Sequence, residues 1–179
     1  MVMYYLALVL PPHLNERILN LKKYMLEKYN CKVGVKSPAH ITLIPPYWMN
    51  PEKEEELLRD TDDIARTAQP FVLASNNFSA FKPRTIFVAV KESEALQQLK
   101  KKTEQFFCSK EYSIKKENRP FHPHITIATR DLYKKDFQEV WPVFEREIFE
   151  EEWLVDALSV LRHNKKNWDV IHTSQFQNV

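Results

Sequence analysis

The sequence predicts a mixed helix-and-strand protein built from two like halves, and three observations predict it. The tripeptide His-Ile-Thr occurs twice, at 40–42 and again at 124–126. The order of elements around each copy reads strand, helix, His-Ile-Thr strand, helix, strand. The spacing also matches, with 36 residues from Tyr4 to His40 and 38 from Ile86 to His124. Self-similarity of this kind suggests an internal duplication. The expectation is a single bilobal domain over 1–179, with pseudo-repeat halves of about 1–84 and 85–179, a length that suits one domain.

Each element follows from a local pattern. "MVMYYLALVL" reads as a buried strand: it lacks a positive leader and a cleavage site, and it is too short to span a bilayer. Leu14, Ile18, Leu21 and Met25 recur at helical spacing, which predicts a helix over 14–29. A strand holding "HITLI" follows and ends at Pro45-Pro46. Asn50-Pro51 starts a second helix to about Ala68, with Glu52 and Glu54 suiting its dipole. "FVLAS" and "NNFSAF" are strand-like.

In the second half "RTIFVAV" alternates as a strand. Ser93 caps a helix to about Cys108, with Leu96, Leu99 and Phe106 facing inward. The strand "HITIA" comes next. A helix over about 136–147 places Phe137, Val140, Trp141 and Phe144 on one side, interrupted by Pro142. "FEEEWLVDALSVLRH" and "NWDVIHTSQF" close the chain as two long strands around a polar turn near Asn164, a hairpin.

Composition narrows the function. Hydrophobic residues make up 44% and charged residues 28%, and the net charge is only +2. Mean hydropathy of −0.48 is that of a soluble chain. The basic stretches "KKENR" at 115–119 and "RHNKKNW" at 162–168 read as solvated surface. With Gly34 as the single glycine, a glycine-rich phosphate loop is excluded, and turns must rely on Pro, Asn, Asp and Ser. Cys31 and Cys108 do not make a disulfide framework. Read as small buried thiols in a reducing compartment, they place the protein in the cytoplasm.

Side chains i and i+2 of a strand share a face. His40 and Thr42 therefore project together, as do His124 and Thr126, while Ile41, Leu43, Ile125 and Ile127 face the other way into a core. A half-buried strand needs apolar residues on its inner face and has no need of the same His-Thr pair twice. Histidine gives or takes a proton near neutrality. Of two facing imidazoles, the neutral one removes a proton from water or a sugar hydroxyl, and the protonated one donates to the departing oxygen. Threonine hydroxyls donate to the non-bridging phosphoryl oxygens. This set suits in-line phosphodiester cleavage with neither metal nor cofactor. "HTS" at 172–174 also places His172 and Ser174 on one face, read here as the solvent face of a terminal strand. His122 shares a face with His124 and supports or borders the site. His13 and His163 fall in turns and receive no role.

"HITL" at 40–43 and "HITI" at 124–127, lying 84 residues apart, resemble the paired motifs of the two-histidine (2H) phosphoesterase superfamily. "IPPY" after the first and "PHITIATR" around the second are similar to its 2′,5′-RNA ligase-like branch. The resemblance covers nearly the whole chain. It implies an α+β fold of two pseudo-symmetric lobes, with antiparallel sheets lining a central cleft and helices outside. It implies reactions at RNA ends: opening of 2′,3′-cyclic phosphates and, in some members, reversible formation or cleavage of 2′,5′ linkages. By the family pattern His40, Thr42, His124 and Thr126 are catalytic. We take His124 as general base and His40 as general acid, an order the sequence leaves open and a reversed reaction exchanges.

Other residues carry two readings each. Arg130 binds phosphate if the strand persists to it, and otherwise is surface. Tyr47, Trp48 and Phe121 either stack on a base or pack in the core. Lys82 and Arg84 flank Pro83 at a turn, placed to steer a nucleotide. The modest charge favours a small nucleotide or an RNA terminus over a long RNA, with no membrane and no obligatory protein partner. Two other classes compete. One is a zinc hydrolase using His40, His122 and His124, for which no acidic residue completes the set. The other is a non-catalytic module that binds nucleotides or RNA ends.

Overall fold

The computed structural model describes residues 1–177. The strands are β1 (Val2–Val9), β2 (His40–Met49), β3 (Phe71–Phe81), β4 (Thr85–Val90), β5 (His124–Ala128), β6 (Glu152–Val155), β7 (Ala157–His163) and β8 (Trp168–Gln175). The helices are α1 (Pro12–Tyr29), α2 (Glu54–Ala65), α3 (Glu94–Cys108) and α4 (Lys134–Phe144). The class is α+β. The strands form two four-stranded antiparallel sheets, ordered β2-β1-β7-β8 and β5-β4-β3-β6.

Both His-Ile-Thr strands are edge strands, and the two edges pack against each other. Helix α1 reaches across to β5, and α3 reaches across to β2. Each motif is thus backed by the other half's helix. The two registers are parallel in logic: His40 and Thr42 pair with Val9 and Ala7 on β1, and His124 and Thr126 pair with Ala89 and Phe87 on β4. On the opposite faces Ile41, Leu43, Ile125 and Ile127 are buried in the main core. Fully burying one such side chain contributes about 1.5–3 kcal/mol, so slipping either strand by one residue would sacrifice several such terms.

Several expectations need correction. Pro45-Pro46 do not end β2, which runs on to Met49. An edge strand tolerates proline, and the register shifts between Tyr4 and Leu6 of the partner strand to absorb the pair. The second helix opens as a tight turn over Pro51–Lys53, with the Asn50 side chain accepting from the Glu52 amide at 3.2 Å, and ends at Ala65. Ser93 caps α3 by accepting from the Leu96 amide at 3.2 Å, but Phe107, not Phe106, takes the buried position. The long strand predicted over 149–163 is broken at Asp156 into β6 and β7, which belong to different sheets. The sheets consequently do not follow a cut between residues 84 and 85: β3 lies in the sheet of the second motif, and the β7–β8 hairpin lies in the sheet of the first. No helix among the described residues is long and apolar enough to cross a membrane.

Candidate active site

A cavity of about 300 Å³ opens where the two edges meet. Its wall takes His40 and Thr42 from β2 and Thr126, Thr129 and Arg130 from the β5 side. Lys22 of α1, the segment from Val33 to Ser37, Tyr5 of β1, and His163 and Trp168 of the hairpin complete it. His124 lies two residues before Thr126 on β5, so it projects to the same face, but it is not among the residues that line this cavity; its charge is felt at His40.

The two imidazoles are held in the same way. Nδ1 of His40 lies 2.7 Å from the Pro38 carbonyl oxygen, and Nδ1 of His124 lies 2.7 Å from the His122 carbonyl oxygen. A carbonyl only accepts, so each Nδ1 carries a proton. Each Nε2 is left without a hydrogen bond to any described residue. Aromatic rings fix the planes: Tyr5 sits 5.0 Å from His40, while Phe87 and Phe81 sit 5.1 and 5.2 Å from His124. Burial pushes the His40 pKa down to about 4, helped by the charges of Lys22 and His124 and opposed by the Pro38 carbonyl. Burial also lowers His124, by less, against the same kind of carbonyl contact from His122.

The turn beside the cavity is tied to the second motif. Asp131 Oδ2 accepts from the amides of Lys32 and Val33, at 2.5 and 2.9 Å. This seats Gly34 directly on β5. A Cβ at Gly34 would run into the Ile127 carbonyl oxygen and would lie 3.6 Å from Lys22 Cγ.

The looser candidates divide. Arg130 has left the strand, which ends at Ala128; it takes a left-handed φ of 54° and is exposed, yet it still borders the cavity. Tyr47 faces away, buried in the core against Tyr4, so a base-stacking role for it is withdrawn. Unbroken alternation through Pro45-Pro46 gives it the parity of Ile41 and Leu43, which the expected strand end at Pro45-Pro46 had obscured. Trp48 is exposed near the end of β2, outside the cavity wall. Phe121 packs against the core beneath the Lys100 ammonium. Lys82 and Arg84 sit in the exposed β3–β4 turn, away from the cavity, with Lys82 over the Trp141 ring. His122 is exposed and lends its carbonyl to His124.

His172 and Ser174 are not on a solvent face. His172 Nε2 lies 2.8 Å from Asp62 Oδ1, and Ser174 donates to the same oxygen at 2.6 Å, clamping β8 to α2. Burial works against ionising Asp62, but these two bonds hold its carboxyl below the usual range. His163, given no role above, borders the cavity with its ring 4.9 Å from Trp168. Lys22 also went unread, although it lies four residues after Ile18 and three before Met25 on the apolar stripe. Among the described residues no three His, Cys, Asp or Glu side chains converge as a ligand set.

Known proteins carry the same architecture. The chain is 29% identical over 139 residues to "Putative phosphoesterase OB1230" of Oceanobacillus iheyensis, covering 76% of this chain and 78% of that one. It is 28% identical over 95 residues to "RNA 2′,3′-cyclic phosphodiesterase" of Bacillus subtilis, covering 51% of each. The crystal structure of Escherichia coli LigT complexed with 3′-AMP superposes with a TM-score of 0.65 at 18% identity, covering 99% of both chains. A family model for the 2′-5′ RNA ligase superfamily matches residues 10–167. The chain is a member of that superfamily.

Proposed function

We propose that this protein is a metal-independent phosphoesterase that opens 2′,3′-cyclic phosphates, or cleaves or joins 2′,5′-phosphodiesters, at RNA ends or on small nucleotides. The observation that carries the proposal is the matched pair of imidazoles, each with Nδ1 tied to the carbonyl two residues back and Nε2 left for the substrate. A cavity of about 300 Å³ favours a mononucleotide or a single terminal residue over a duplex. The relative named RNA 2′,3′-cyclic phosphodiesterase and the 3′-AMP complex of the LigT neighbour agree with a nucleotide substrate.

The electrostatics favour His40 as the base, the reverse of the order taken from the sequence. With its pKa near 4, His40 is neutral at pH 7 and its bare Nε2 accepts the proton of an attacking water. As the new P–O bond forms, Thr42 and Thr126 donate to the non-bridging oxygens, where charge accumulates. The bond to one ribose oxygen breaks, and His124, protonated at Nε2, returns a proton to that oxygen. Protons balance: one passes to His40 and one leaves His124.

The test is hydrolysis of adenosine 2′,3′-cyclic phosphate and of a 2′,5′-linked dinucleotide in EDTA. His40→Ala and His124→Ala should each lose a factor of about 10²–10⁴. Undiminished turnover in the double variant overturns the mechanism. Nucleotide binding without turnover by the wild type would instead make this a binding module. Activity abolished by EDTA and restored by zinc would favour a metal hydrolase.

A further inference from the structure

Two lysines are buried, one on each of the helices that cross to the opposite motif: Lys22 on α1 is 2% exposed and Lys100 on α3 is 5% exposed. A buried ammonium is costly unless it is paired and hydrogen-bonded. Lys100 meets both conditions. Its Nζ donates to the Leu43 carbonyl at 2.8 Å, to Glu104 at 3.0 Å and to Glu117 at 2.5 Å. All three donors are used, and two carboxylates offset the charge.

Lys22 meets neither in full. Its Nζ donates to one acceptor, the Ser37 carbonyl oxygen at 2.9 Å, and no carboxylate among the described residues pairs with it. Burial alone accounts for its low pKa of about 8, at which it is still mostly charged at neutral pH. It is not sealed in the core. It lines the same cavity as His40, Thr42, Thr126 and Arg130, near enough for its charge to act on His40. The turn at Gly34 packs against its stem and holds it there. Two N–H donors without a partner and an uncompensated positive charge are therefore left on a side chain that borders the space that the catalytic reading fills with a phosphate.

We propose that Lys22 is the phosphate-charge partner of this site, a substrate-binding ammonium whose missing anion is the phosphodiester itself. The inference rests on the proposed function for the identity of the anion. Arg130, exposed and beyond the strand, gathers phosphate at the mouth, while Lys22 neutralises it inside. This also explains why a site for an anion needs no glycine-rich loop: the donors are an ammonium and two threonine hydroxyls. The contrast with Lys100 separates a structural lysine from a functional one. The first has its counter-ions in the chain, and the second awaits one from solution.

The test uses the full chain and inorganic phosphate as probe. Calorimetric or NMR titration should show phosphate binding to the wild type, weakened about tenfold to a hundredfold in Lys22→Met, the range for losing a charge-assisted hydrogen bond. Lys22→Arg should recover part of the affinity, which removal of a merely space-filling residue would not predict. On adenosine 2′,3′-cyclic phosphate, Lys22→Met should lose kcat/KM by a similar factor while His40 and His124 stay in place. Should Lys22→Met fail to fold, wild-type chain labelled at lysine Cε answers instead, because phosphate must move the Lys22 resonance, identified by its loss in Lys22→Arg. Unchanged phosphate affinity in folded Lys22→Met, or a Lys22 resonance indifferent to phosphate, overturns the inference. If the wild type binds phosphate through Lys22 but turns over no cyclic phosphate, the inference stands and the proposed function falls.

Discussion

Replacing Lys22 by methionine should make the protein more stable in phosphate-free buffer. In the unfolded chain the amine titrates near 10.5, and in the folded chain burial lowers it to about 8. The folded state thus binds this proton less tightly than the unfolded state does. At pH 7 the difference costs the fold roughly 3 kcal/mol. The cost is complete below pH 8 and fades as pH rises from 8 to 10.5, because the folded amine has then shed its proton and giving that proton up costs less the nearer the pH comes to 10.5. Methionine removes the charge and fills a similar volume with an adaptable apolar chain. Against this gain, the Ser37 carbonyl loses its donor, at about 1 kcal/mol. The net expectation is about 2 kcal/mol of added stability at pH 7, or a Tm higher by roughly 4–8 °C for a chain of this length. Urea unfolding monitored by circular dichroism at pH 7 and at pH 11 measures it. The gain should be present at pH 7 and largely gone at pH 11. A Lys22→Met protein less stable than wild type at pH 7, or equally stabilised at both pH values, would refute the electrostatic account.

Three further outcomes follow from the same geometry. The pH dependence of kcat/KM should be a bell lying below pH 6.5: the acid limb follows His40 near 4, and the alkaline limb follows His124, which burial holds under its ordinary value. An activated aryl phosphodiester, whose leaving group needs no proton, should restore His124→Ala toward wild-type rates but not His40→Ala; the opposite rescue would exchange the two roles. Gly34→Ala should lose about 1–3 kcal/mol and impair turnover together, because its methyl drives the turn off the Ile127 carbonyl; a variant neutral in both urea unfolding and kinetics would contradict that packing.

The parts of this molecule that were legible from sequence are those governed by short-range rules. Period-two alternation placed His40 with Thr42 and His124 with Thr126 on single faces, because the strand pleat leaves no other option. Ser93 announced the start of α3 through one capping bond. What was illegible depends on partners distant in sequence. Asp156 looks like any polar residue within a strand, and only the competition of two sheets for the flanking segments shows that the chain breaks there. Tyr47 shares the odd parity of Ile41 and Leu43, but only the pairing of β2 with β1 through Pro45-Pro46 shows that the strand, and so the alternation, reaches it. Ser174 reads as surface until α2 brings Asp62 against it. Lys22 stood in plain view on an apolar stripe, where a charged residue at a core position is the signal to ask what neutralises it.

The traded strands have a consequence for the two halves as pieces. Neither fragment, 1–84 or 85–179, owns a finished sheet: the first would lack the hairpin that flanks β1, and the second would lack the long strand between β4 and β6. Severing the backbone at the β3–β4 turn would therefore not release two miniature proteins. It would yield obligate complements, each unable to cover its own sheet and each carrying one of the two His-Ile-Thr motifs. The crossing at Asp156 stitches the two sheets together, so the two motif histidines depend on one continuous chain for their places.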